Sequence, residues 1–192
     1  PSYSEAERYR DIVAPSLDAT LYFDEAGTSA KELREEFTAD DDAVLFTSLW
    51  GTLAEGVSFD GDDARTVVVV GVPYPHLDDR SEAVQDAYDR AFADRSGHDS
   101  GWEYAVEIPT IRKTRQALGR VIRAPDDFGV RVLLDERYTG ASVADMGKYS
   151  VRETFPMEER EEMIDIAPEK LKFAMLNFYT DQDAWDGDPP AP

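Results

Sequence analysis

Residues 65–73 read RTVVVVGVP, and no other stretch limits the fold as much. β-branched side chains lose rotamer freedom in a helix and pack well on a pleated surface. Valine at both parities leaves the strand no polar face, so the run predicts a strand covered on both sides, as in a parallel sheet flanked by helices. Three further apolar runs read as strands: ATLYF (19–23), AVLFTSLW (43–50) and VRVLLDERY (130–138). Helical spacing falls between them. SYSEAERYRDIV (2–13) opens on a Ser cap and offers Tyr9, Ile12 and Val13. TSAKELREEF (28–37) sets Leu33 and Phe37 four apart behind a Thr/Ser cap. SEAVQDAYDRAFA (81–93) gathers Val84, Ala87, Tyr88, Ala91 and Phe92 on one face, and PTIRKTRQALGRVIR (109–123) starts with Pro and Thr, which suit a helix start. This alternation predicts an α/β fold with a doubly wound, mainly parallel sheet flanked by helices.

A sheet of that kind binds ligands outside the carboxyl ends of its strands. The second long run leads into SLWGTLAEGVSF (48–59), whose glycines let backbone approach a ligand and whose Glu55 places an acid in the loop. The third run leaves through GVPYP (71–75), bracketed by prolines. Each loop can also be read as a plain tight turn.

The charge pattern isolates one more segment. The chain has 41 acidic and 20 basic residues and a net charge of −21, yet Ile108 to Pro125 contains no acid and carries Arg112, Lys113, Arg115, Arg120 and Arg123. On a helix, Arg112, Gln116, Arg120 and Arg123 share one face, while Ile111, Leu118, Val121 and Ile122 face a core. Gly119 inside such a helix costs about 1 kcal/mol relative to Ala, which favours a close approach to the backbone there. Arginine's fixed fork of donors suits a planar, multi-oxygen anion such as a phosphoryl group. A solvated basic face is the plain alternative.

Elsewhere Asp exceeds Glu, and Lys is confined to Lys31, Lys113, Lys148, Lys170 and Lys172. Self-repulsion of so acidic a domain is screened in molar salt, where the Debye length is about 3 Å. The composition therefore looks halophilic and speaks to the solvent rather than to the partner. There is no cysteine, hence no disulfide or thiolate metal site on this chain, and His76 and His98 lack ligand-like neighbours. No apolar run approaches eighteen residues, the length of a membrane span, and no signal segment opens the chain. A cytoplasmic protein is expected.

Together the motifs resemble the second RecA-like motor domain of an XPD-family superfamily-two DNA helicase, of halophilic archaeal type. WGTLAEGVSF is similar to motif V, GVPYP to the segment after it, and QALGRVIRAPDDFG to motif VI; the PSYS start is similar to the tail of motif IV, after a strand expected upstream. A DinG-like helicase of the same branch stays open, as does a non-catalytic acidic α/β protein-interaction module. The resemblance implies residues 1–155 as the motor domain, 156–180 as a helical extension packed on it and 181–192 as a disordered acidic tail. It implies Arg120 and Arg123 as catalytic arginines facing the γ-phosphate, with Gln116, Gly51, Glu55 and Gly56 at the nucleotide. Ser2, Tyr3, Thr52 and Arg112 would touch DNA. ATP and Mg2+ would be held mainly by a first motor domain carrying the P-loop, which this chain lacks, and an iron–sulfur cluster would sit there too. This chain alone is expected to be inactive. Single-stranded DNA, the N-terminal motor domain and repair-complex proteins are the implied partners. One departure stands out: the family commonly has Asp where this chain has Ser58, and a hydroxyl cannot supply a carboxylate's charge.

Overall fold

The computed structural model describes residues 2–51, 53, 57–93, 100–122 and 127–187. Two compact units divide the chain, residues 1–135 and 136–192.

In the first unit, helix α1 (Tyr3–Val13) starts at Ser2 through a reciprocal capping box. The Ser2 hydroxyl accepts the Glu5 N–H at 3.3 Å, and the Glu5 carboxylate accepts the Ser2 N–H at 2.7 Å. The Ser2 N–H and, at 3.0 Å, the Ser2 hydroxyl donate to the Glu5 carboxylate and hold it below its ordinary pKa. Strand β1 (Thr20–Phe23) follows, then α2 (Ala30–Thr38), capped by Ser29, then β2 (Ala43–Phe46). β1 and β2 are parallel, from Thr20 opposite Ala43 to Phe23 opposite Phe46. Strand β3 (Thr66–Val70) pairs in parallel with β4 (Val130–Leu134), Thr66 opposite Val130 and Val70 opposite Leu134. Among the described residues these are two separate parallel ladders. Between β3 and β4 run α3 (Asp79–Ala91), capped by Asp78, and a composite helix: α4 (Ser100–Trp102), a π turn over Glu103–Glu107, and α5 (Ile108–Leu118). The predicted α/β class with parallel strands and flanking helices is the fold observed.

The differences are local and physical. The run 43–50 is strand only to Phe46; beyond it the Thr47 hydroxyl turns to Asp24 and the Ser48 hydroxyl accepts the Trp50 N–H in a turn. Val68 is 49 % exposed while Val69 on the opposite face is 2 % exposed, so β3 is covered on one face and half open on the other. Helix α3 buries less than its spacing predicts: Val84 is exposed, and packing comes from Tyr88 and Phe92 stacked on Tyr104, with centroids 5.4 and 5.2 Å from it. The helix predicted from residue 109 begins at Ser100 instead. Pro109, lacking an N–H, sits inside a continuous helical run, and the wider π turn just before it accommodates the missing bond and the ring.

In the second unit, a 3-10 turn (Glu136–Tyr138) leads to α6 (Ser142–Met146), α7 (Met157–Glu162) and α8 (Pro168–Asp181). Tyr138, Val151 and Phe155 are buried. Arg152 organises the loops, donating to the carbonyls of Tyr138, Arg160 and Met163 at 3.2–3.3 Å. The apolar side chains of α8 reach only partial burial.

Candidate functional site

The carboxyl end of the β1–β2 pair concentrates polar groups from three elements. Asp24, the residue after β1, is 1 % exposed. Its Oδ2 accepts the Thr47 hydroxyl at 2.7 Å and the Tyr3 hydroxyl of α1 at 3.5 Å. Burying a carboxylate is costly unless donors surround it, and α1 and the turn after β2 provide two. Ser48, also 1 % exposed, holds that turn: its hydroxyl accepts the Trp50 N–H at 3.2 Å and its carbonyl the Gly51 N–H at 2.8 Å. A Cβ on Gly51 would lie 2.7 Å from both Asp24 Oδ2 and the Tyr3 hydroxyl oxygen, so the glycine is required by space.

The loop beyond is anchored through apolar side chains. Leu53, Val57 and Phe59 are buried with Leu33 of α2, and Phe37 meets Phe59 edge-to-face at 5.5 Å. Arg34 Nε donates to the Ser58 carbonyl at 2.6 Å and its Nη2 pairs with Asp63. The cationic segment meets this loop at two points. Arg120 Nη1 donates to the Val57 carbonyl at 2.7 Å. Lys113 Nζ lies 4.8 Å from the centroid of the Trp50 ring.

The single arginine face is not what forms. Helix α5 ends at Leu118, with Gly119 as its C-cap at φ −77° and ψ 8°. Arg112 and Gln116 stay exposed on the helix. Arg120 lies in the turn beyond it, half-buried against the loop at Val57. Gly119 is thus a helix end rather than an interior weak point. Arg123, Thr52, Glu55 and Gly56 lie outside the described residues. Ser2 is exposed and engaged in the capping box, while Tyr3 turns its hydroxyl towards Asp24. Tyr3 and Gly51 are therefore brought together, as are Arg120 and the 57–59 loop.

Sequence reasoning missed Asp24, Thr47, Ser48 and Trp50. An acid directly after a strand run and two hydroxyls directly after the next were the available signal. Among the described residues, no group of three His, Asp or Glu side chains is placed to hold a metal ion, and none of the helices is long and apolar enough to cross a membrane. With no cysteine, the chain offers no thiolate for an iron–sulfur cluster.

Comparisons with known proteins bear on the family and the fold. The sequence pattern of the family described as "Helicase C-terminal domain" matches residues 1–154. The "Regulator of telomere elongation helicase 1 homolog" of Caenorhabditis elegans is 32 % identical over 102 residues, covering 52 % of this chain and 10 % of that protein. The "General transcription and DNA repair factor IIH helicase subunit XPD" of Schizosaccharomyces pombe is 36 % identical over 101 residues, covering 50 % and 12 %. The matched stretch spans about a tenth of the length of these relatives. A solved structure titled "XPD_APO" superposes with a TM-score of 0.52 at 22 % identity, over 76 % of this chain and 34 % of that one, and supports the fold.

Proposed function

Because this chain belongs to the helicase C-terminal domain family, with XPD-type and CHL1-type DNA helicases among its relatives, we propose that it serves as the second motor domain of an ATP-dependent DNA helicase acting in repair with 5′→3′ polarity. The observation that carries this reading is the bond from Arg120 to the Val57 carbonyl, which ties the cationic segment to the glycine loop after β2. A guanidinium is always charged and presents donors in a fixed fork, the geometry a transferring phosphoryl group needs. Arg120, with Arg123, supplies that charge to a cleft completed by a first motor domain bearing the P-loop. ATP and Mg2+ are held mainly by that domain, and an iron–sulfur cluster belongs to it as well.

The remaining residues divide by position. Gln116 lies two residues before the end of α5, beside the nucleotide. Gly51, Glu55 and Gly56 belong to the loop that Arg120 touches at Val57, so displacement of the arginine moves the loop. Ser2 and Tyr3, at the start of α1, contact single-stranded DNA together with Thr52 of the loop sequence, and Arg112 adds a cation on α5. The protein works in high salt, where its charge is screened.

The test is DNA-stimulated ATP hydrolysis by the full-length protein in molar KCl, wild type against Arg120→Ala. Loss of about two or more decades of rate is expected. Normal hydrolysis by the variant would overturn the motor role and favour a protein-interaction module.

A further inference from the structure

Trp50 is held out at the surface by a turn that is otherwise tightly fixed. Its N–H is bound by the Ser48 hydroxyl, the next N–H by the Ser48 carbonyl, and a Cβ on Gly51 would strike Asp24 and Tyr3. Both flanking backbone segments are thus set, yet the Trp50 side chain remains 49 % exposed. Lys113 approaches the indole from α5, its ammonium 4.8 Å from the ring centroid. That lysine belongs to the acid-free stretch 108–125, the one place where this acidic chain gathers cations.

We propose that Trp50 and Lys113 form a base-stacking step of the single-strand track, the indole receiving a nucleobase and the ammonium standing beside the adjoining phosphate. The inference rests on the motor-domain reading and names two residues it does not use. Every nucleobase has a π-face, so an aromatic platform binds without sequence preference. A side chain whose backbone is already fixed loses less freedom on binding than a mobile one. Charge supplies the reason for stacking here. Phosphate contacts release counterions and weaken as salt rises, and a net charge of −21 repels a polyanion when salt is low. Stacking depends on neither. Tyr3 also reaches Gly51, its hydroxyl turned towards Asp24.

The experiment measures binding of labelled oligothymidine to the full-length protein by fluorescence anisotropy, in low and in molar KCl. Trp50→Ala should lose about tenfold to a hundredfold in affinity at both salt concentrations, and Trp50→Phe should keep most of it. Lys113→Ala should weaken binding more in low salt than in molar salt, with the salt slope smaller by about 0.7. Unchanged affinity in Trp50→Ala, in a protein whose hydrolysis still collapses with Arg120→Ala, would overturn the step and leave the motor reading standing. Reduced hydrolysis with unchanged DNA affinity would also overturn it, placing Trp50 against a protein surface. A wild type that binds no oligothymidine would remove the motor reading and the step together.

Discussion

The two parallel strand pairs end differently, although both are built from apolar runs and both carry a glycine at the carboxyl edge. After β2, Gly51 is needed because its neighbours fill the space a Cβ would take: a buried carboxylate, a tyrosine hydroxyl and a backbone carbonyl. After β3, Gly71 has nothing within 4 Å of a Cβ and is needed because its φ is +76°. The first glycine serves packing around polar groups. The second serves chain direction, and its N–H simply extends the ladder by donating to the Leu134 carbonyl at 3.2 Å. Topology makes both edges eligible for ligands, but only the first has buried Asp24 and Ser48 and an exposed tryptophan. The proposed chemistry therefore falls at the β1–β2 edge rather than at the GVPYP exit.

Substitution at Gly51 puts the largest strain on that contrast. Gly51→Ala drives a methyl group into Asp24 Oδ2, which is buried, and into the Tyr3 hydroxyl, with the Ser48 carbonyl 3.0 Å away. The expected loss is about 3 kcal/mol of stability, at the upper end for overpacking, read by chemical denaturation. Gly71→Ala meets no atom and bears only the left-handed backbone cost, about 1–2 kcal/mol. Equal losses at the two sites would break the comparison.

Asp24 follows in size. Asp24→Ala strips an acceptor from the Thr47 and Tyr3 hydroxyls and should cost about 2 kcal/mol. Asp24→Asn keeps an acceptor oxygen and should cost less than about 1 kcal/mol. If the asparagine variant is as unstable as the alanine one, the negative charge itself holds the turn.

These residues also mark how far the sequence could be read. The valine run, the Ser2 and Ser29 caps and the alternation of elements gave the class, because each is a local preference that tertiary packing did not override. Asp24 was invisible for a different reason: in FDEAG it precedes another acid, and its burial exists only once Tyr3 and Thr47 arrive from 21 and 23 residues away. The end of α5 was legible in principle, since a glycine after periodic residues is a stop signal. It was outweighed by the 4-4-3 spacing of Arg112, Gln116, Arg120 and Arg123, which an ideal helix would have aligned. The start of the composite helix was hidden by Pro109, a residue that favours a first turn and here follows a π turn instead.

The smallest effect tests whether α1 belongs to the chemical edge. Tyr3 is the first residue of the helix, so the Ser2–Glu5 capping box helps fix where its ring enters the cluster. Glu5 has a folded pKa below its ordinary value because Ser2 donates to it. Such a group stabilises the fold above its unfolded pKa, near 4.5, and the contribution disappears as pH falls through the lower folded value. Glu5→Gln should therefore cost about 0.5 kcal/mol at neutral pH, a modest figure because the carboxylate is exposed and screened. The gap between wild type and variant in thermal melting should close on acidification through the range just below 4.5. In the DNA-binding assay the same variant should weaken binding slightly if the cap positions Tyr3 for the strand. An effect on melting with none on binding would make the cap a support for α1 alone and would shorten the chemical edge to Asp24, Thr47 and the turn that carries Trp50.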